Sequence, residues 1–242
     1  MRNYTEVVAN MEIKRNKIVI IVGAGAVENA WVPIVNAIKV VTNQTVDIDG
    51  ANCFLARLIY LLRFYSKIPH VDAKRHLEIS KENLEILKNS ICEEIKIAQS
   101  SGILKPRNEF RKILKKFVFN DSKNSVALIS TNWDTVIDED VENLLKQIYS
   151  SGLTLKCNHI HGSVEFPEHL YLPSETTQEN YRSDAENKKF GLNHAKTIEY
   201  LEQANQTLIY GLSLDPLDAE LSQVLGGVGI ASNDLHEIII VN

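Results

Sequence analysis

The run Lys17-Ile-Val-Ile-Ile-Val22, stopped by Gly23-Ala24-Gly25, constrains this chain more than any other stretch. An unbroken, mostly β-branched apolar run with no polar alternation suits a strand covered on both faces, as in a parallel sheet. The same signature returns in Ser125-Val-Ala-Leu-Ile-Ser130, Thr207-Leu-Ile-Tyr210 and Glu237-Ile-Ile-Ile-Val241, and Leu153 to Ile160 reads as a further strand. Helical spacing lies between the strands. After Asp134 it is carried by Val136, Ile137, Val141, Leu144, Leu145 and Ile148. After Asp215, read as an N-cap with Pro216 in the first helical position, it is carried by Leu217, Leu221, Val224 and Leu225. Strands alternating with helices predict an α/β fold: a Rossmann-like, mostly parallel sheet with helices on both faces.

About a hundred residues separate the first two strands, far more than one crossover needs. Three apolar stripes fill that interval: Phe54 to Leu62, Leu77 to Ile95, and Phe110 to Phe117. Residues 1–242 are therefore expected to form a single domain, with 50–120 as a helical lobe inserted after the first strand. Residues 163–192 are polar, carry two prolines and have no clear period, so a long loop is expected there.

Composition narrows the function classes only a little. The net charge of −5 argues against a general nucleic-acid or membrane-surface binder. No stretch approaches the roughly 18–20 apolar residues of a membrane span, and the charged N-terminus has no signal-peptide core, so a cytoplasmic protein is expected. Cys53, Cys92 and Cys157 are odd in number and contain no Cys-x-x-Cys pair, which indicates neither a disulfide framework nor a zinc ribbon.

Chemistry is expected where polar or glycine-bearing turns follow the strands. Gly23-Ala24-Gly25-Ala26 would let backbone N–H groups approach a pyrophosphate. It departs from the dehydrogenase fingerprint, whose third glycine position holds Glu28 here. Asp47 and Asp49 lie at a ribose-binding distance downstream, but no convincing strand precedes them. Ser130-Thr131-Asn132-Trp133-Asp134 ends the second strand, where Asn132 and Asp134 either face a ligand or cap the next helix. His159-Ile160-His161-Gly162-Ser163 follows. Two histidines at i, i+2 share a strand face, yet no third ligand is evident nearby, so a lone catalytic imidazole is preferred to a metal. Gly211-Leu212-Ser213-Leu214-Asp215 ends a further strand in the same way.

In order and approximate spacing, Gly-Ala-Gly, Ser-Thr-Asn-x-Asp, His-Gly-Ser and Gly-Leu-Ser-Leu-Asp resemble the motifs of the sirtuin superfamily. The resemblance is closest to its bacterial sirtuin-like branch, which acts in anti-phage defence by hydrolysing NAD, and it spans residues 23 to 215. It implies a pyrophosphate on Gly23, Ala24, Gly25 and Ala26, Asn132 and Asp134 as catalytic residues beside the nicotinamide ribose with His161 as the base, and Thr131 among the NAD-binding residues. Gly211 and Ser213 would contact the adenosine side, and Asn242 the adenosine end.

Protein-deacylating sirtuins carry a four-cysteine zinc module and follow the glycine turn with a serine and an arginine-bearing stretch. Here the cysteines are scattered, Val27 takes the serine position, and Glu28 to Pro33 has no arginine. The resemblance therefore implies a metal-independent NAD glycohydrolase releasing nicotinamide and ADP-ribose, with NAD as substrate. Its control is expected to come from homo-oligomerisation or a regulatory partner or domain. The alternative is a non-catalytic module that binds NAD or ADP-ribose, to sense nucleotide or to assemble a complex.

Overall fold

Strand β1 (Lys17–Val22) lies at the centre of a five-stranded parallel sheet, with β4 (Ser125–Ser130) on one side and β6 (Gln206–Tyr210) on the other. Strand β5 (Cys157–His159) extends the sheet beyond β4, and β7 (Glu237–Val241) extends it beyond β6. The computed structural model describes residues 16–121, 124–148, 155, 157–232 and 234–241. Alternation along β1 shows why its run is unbroken. Ile18, Ile20 and Val22 belong to the larger core cluster, while Val19 and Ile21 pack into a second cluster on the opposite face. Both faces are covered, so a polar residue has no place along the strand.

The larger face carries α1 (Val32–Thr42), α2 (Ile48–Ser66), α3 (Val71–Ser100), α4 (Asn108–Phe117) and α5 (Val136–Ile148). The stripes predicted for residues 50–120 are the buried faces of α2, α3 and α4. Leu55, Ile59, Leu87, Ile91, Phe110 and Leu114 join one continuous cluster with Ile18 and Ile20. Two-residue strands β2 (Val27–Glu28) and β3 (Lys105–Pro106) pair antiparallel and tie the first turn to the end of α3. Asp47 is the N-cap of α2, accepting the Gly50 N–H at 2.8 Å, and has a structural use there. The smaller face carries α6 (Asp184–Glu202) and α7 (Ala219–Ala231). Among the described residues no helix is long and apolar enough to cross a membrane.

Three expectations need correction. The third core strand is shorter than Leu153 to Ile160: its ordered pairing covers Cys157–His159, and residues 153, 154 and 156 lie outside the described residues. The helix after Asp215 starts at Ala219, not Pro216, because Asp215 closes a turn instead. Its Oδ1 accepts the Leu217 N–H and its backbone carbonyl accepts the Asp218 N–H, both at 2.8 Å. The stretch 163–192 is not one long loop. It holds a 3-10 turn at Pro167–His169, and α6 begins inside it at Asp184.

A reciprocal capping box starts α6. The Ser183 hydroxyl accepts the Glu186 N–H, and the Glu186 carboxylate accepts the Ser183 N–H at 2.8 Å. The segment before it is fixed by buried polar bonds. Glu175 accepts the Leu172 N–H and the Tyr181 hydroxyl at 2.6 and 2.7 Å. Glu179 accepts the Thr176 N–H at 2.7 Å and pairs with Arg63 of α2. The Arg182 guanidinium lies 4.4 Å over the Phe190 ring.

Candidate active site at the carboxyl edge of the sheet

The chain runs outward from β1 through β4 to β5, then returns across β1 to β6 and β7, so the strand order reverses between β1 and β6. In open α/β sheets ligands bind at that reversal, outside the carboxyl ends of the strands. Here the turns after β1 and β6 touch. The Gly25 N–H donates to Gly211 O at 2.8 Å, and the Gly23 N–H to Tyr210 O at 3.0 Å. Gly211 has φ +62°, and a Cβ on it would lie 2.4 Å from the Ala26 backbone nitrogen. A Cβ on Gly23 would lie 2.6 Å from Gly211 O. Close approach of the two turns therefore accounts for these glycines without a ligand.

That contact redistributes the donors expected for a pyrophosphate. The Gly23, Gly25 and Ala26 N–H groups all have carbonyl acceptors, the last being Gly23 O at 2.9 Å. Ala24 is the member of the turn that lines the cleft.

The cleft holds about 940 Å³ of empty space and is open to solvent. Its polar wall is built by Thr131, Asn132, Asp134, His161, Ser213 and Asp218, and its apolar wall includes Trp31, Ile34, Ile95 and Leu172. Asn132, at the carboxyl end of β4, is buried and donates its Nδ2–H to Gly23 O at 3.2 Å. Its backbone carbonyl lies 2.9 Å from His159 Nδ1, so the residue is pinned at both ends. Asp134 performs the capping expected of one of the pair, accepting the Val136 N–H at 3.2 Å ahead of α5. It is 5% exposed, and burial, only partly offset by the Val136 N–H and by His159, pushes its carboxyl up to about 6.

His161 follows β5, and the chain turns immediately beyond it at Gly162, whose φ is +76°. A Cβ at Gly162 would meet His169 O at 1.9 Å, so no other residue fits there. The imidazole stacks on Tyr171, with ring centroids 5.1 Å apart and planes within 7°. His161 Nε2 is buried with no hydrogen-bond partner and lies 3.4 Å from Asp218 Oδ2, while Asp218 Oδ1 is also unpartnered. A buried imidazole nitrogen beside a carboxylate, with neither bond completed, is equipped to take a proton from a ligand. Tyr171 Oη sits 2.6 Å from Glu175 O and 2.8 Å from Glu220 Oε2. Burial, followed by the charge of Glu220, raises its phenol and keeps it neutral.

Of the residues read from the sequence, the structure brings Ala24, Thr131, Asn132, Asp134, His161 and Ser213 into one cleft. Gly23, Gly25, Ala26 and Gly211 are not on its lining and hold the two turns together behind it. Asn242 lies outside the described residues. Among the long-segment residues Tyr171, Glu175, Tyr181 and Arg182, Tyr171 alone lines the cleft. Tyr181 and Arg182 instead border a separate cavity against α3.

Sequence reasoning missed Asp218, Asn52 and Trp31, and gave Trp133 no role of its own. Asn52 reaches the cleft from α2 by donating to Asp215 Oδ2 at 2.9 Å, a contact across 163 residues that no local signal announces. The two histidines at i, i+2 also part company. His161 enters the cleft, whereas His159 Nε2 lies 3.1 Å from Asp138 Oδ1 on the far side of Asn132's carbonyl. Cys157 stands beside that pair, its thiol raised by burial and then by the Asp138 carboxylate.

The fold is that of an α/β protein with a five-stranded parallel sheet, and the cleft at its strand-order reversal is the candidate site. Neither the protein-family models nor the curated proteins give a match to this chain.

Proposed function

We propose that the chain is a sirtuin-like NAD glycohydrolase, cleaving NAD to nicotinamide and ADP-ribose and serving as a regulated NAD-depleting effector of bacterial anti-phage defence. The observation that carries this reading is the convergence of Asn132, Asp134 and an unpartnered His161 Nε2 in one cleft at the sheet reversal. The chemistry asks little of the protein. Positively charged nicotinamide is already a good leaving group, so the site must hold the ribose, stabilise an oxocarbenium-like transition state and present water. Asn132, held rigidly by Gly23 O and His159, orients the ribose or the water. His161 accepts the proton from the attacking water or a ribose hydroxyl, and Asp218 stabilises the imidazolium that forms. Asp134 places negative charge beside the developing cation when ionised. The pyrophosphate is held by the Ala24 N–H and the Ser213 hydroxyl rather than by a row of glycine amides.

Unrestrained NAD hydrolysis would be toxic, so the reading includes control by self-association or a regulatory partner. Ile238 and Ile240, exposed on edge strand β7, are the apolar surface we assign to self-association. The test of activity is nicotinamide release from NAD by purified protein. Asn132→Ala and His161→Ala should each abolish it, and full activity in both variants would refute the assignment.

One observation favours the non-catalytic alternative, a module binding NAD or ADP-ribose. Three of the four turn N–H groups are already bonded to carbonyls, which weakens the grip on a reacting dinucleotide. Saturable NAD binding by calorimetry, with no turnover at high protein concentration, would establish that reading instead.

A further inference from the structure

We infer that Asp138, Cys157 and His159 form a binding site for a zinc-class divalent cation behind the cleft, independently of the proposed activity. Cys157 and His159 alternate on β5, so their side chains project from the same face of the strand. The first turn of α5 brings Asp138 against them, and one potential ligand atom from each residue lies within 4.8 Å of the other two.

The tautomer of His159 is decided by its neighbour. The carbonyl of Asn132, 2.9 Å from Nδ1, can only accept a hydrogen bond, so Nδ1 carries the hydrogen. In the neutral ring, Nε2 then presents its lone pair to Asp138 Oδ1, itself an acceptor, at 3.1 Å. Two acceptors held face to face need a positive charge between them, supplied either by a second ring proton or by a metal. The other atoms favour the metal. Asp138 Oδ2 is buried with no hydrogen-bond partner, and a second ring proton shared with Oδ1 leaves it so.

A cation contacting Nε2, a carboxylate oxygen and Sγ joins all three groups. Tetrahedral coordination at about 2.0 Å separates nitrogen and oxygen ligands by about 3.3 Å, close to the separation already present. A ring N–H donated to a backbone carbonyl is the usual support for a ligating histidine. The set of imidazole, thiolate and carboxylate suits zinc and leaves one position open to water. Bound there, the ion strengthens the His159 bond to the Asn132 carbonyl and stiffens the cleft wall without entering it.

The experiment uses the full chain, stripped with a chelator and titrated with Co²⁺ as a spectroscopic probe, followed by Zn²⁺ displacement. The expected result is one equivalent of Co²⁺ with tetrahedral visible absorption and a thiolate-to-cobalt charge-transfer band, both removed by Zn²⁺. Cys157→Ser should lose the charge-transfer band but retain visible absorption. His159→Gln should weaken binding by at least about tenfold. Cys53→Ser, which alters an exposed thiol on α2, should behave as the parent. Circular dichroism of each stripped variant separates loss of the site from loss of the fold. Absence of binding by the folded parent would overturn the inference and leave an imidazolium–carboxylate pair. A charge-transfer band that survives in folded Cys157→Ser would also overturn it.

Discussion

Replacing Asp134 by Asn tests the electrostatics of the cleft without disturbing its shape. Asparagine keeps an oxygen for the Val136 N–H and is as good a cap as aspartate, so the start of α5 is preserved. What changes is charge. Burial raises the Asp134 carboxyl from 3.8 to about 6, so the folded state holds its proton more tightly than the unfolded chain does. The contribution of a raised carboxyl is fully favourable below the unfolded value and is lost as pH rises through the folded one. A shift of about two units at about 1.4 kcal/mol each makes the ionised carboxylate cost roughly 3 kcal/mol above pH 6. Integrated over the titration, Asp134→Asn should be more stable than the parent by about 1 kcal/mol at pH 4.5 and about 3 kcal/mol at pH 7.5. Urea unfolding of both proteins at several pH values measures this, because titrating groups not coupled to Asp134 cancel in the difference. The same variant should lose nicotinamide release by about a hundredfold if the carboxylate faces the reacting ribose. A stability difference that does not change between pH 4.5 and 7.5, or a less stable variant at pH 7.5, would refute the reasoning.

Gly211→Ala should destabilise the fold by about 3 kcal/mol or more, since its Cβ meets backbone at 2.4 Å and its φ is positive. Gly191→Ala in α6, where a Cβ meets nothing within 4 Å, should raise stability by about 0.5–1 kcal/mol, both glycine variants being measured by urea unfolding. Arg63→Met should cost about 3 kcal/mol at neutral pH by leaving the buried Glu179 carboxylate with only the Arg182 guanidinium, 4.0 Å away. Burial would raise Glu179, but the Arg63 hydrogen bond and the Thr176 N–H outweigh it and hold the carboxyl below 4.5. That stabilisation is present above 4.5 and is lost as pH falls through the lowered value, so urea titrations should show the Arg63→Met penalty shrinking in acid. Ser183→Ala should lower stability by about 1 kcal/mol in chemical denaturation through loss of the α6 capping box.

The parallel strands were legible because burial on both faces leaves a one-dimensional trace: Ile18 through Val22 contain no polar residue for the same reason that both core clusters claim them. Helix α6 left no such trace. Its buried positions are Asn187, Phe190, His194, Thr197 and Leu201, a mixed stripe that dilutes the apolar period. The signal that was present, Ser183 three residues before Glu186, sits in a stretch whose overall polarity suggested a loop. For the site, the strand ends named Thr131, Asn132, Asp134 and His161 because any polar residue there faces the carboxyl edge. Asp218 and Asn52 are placed by a turn and by a contact between distant helices, and neither is written in local spacing.

The glycines show how a motif can be located correctly and still serve a different physical end. A Gly-x-Gly turn after a buried strand suggests backbone donors presented to a phosphate, which an acidic chain would need to bind one. Yet Gly23 and Gly25 donate their N–H groups to the carbonyls of Tyr210 and Gly211, with no room for a Cβ at Gly23, Gly25 or Gly211. The unsatisfied polar atoms lie elsewhere on the same edge, on His161 Nε2 and Asp218 Oδ1. There the buried imidazole and the partly exposed carboxylate stand 3.4 Å apart on the cleft wall without a completed hydrogen bond. The glycines thus account for the architecture of the reversal, and the proposed function rests instead on the histidine and aspartate beside them.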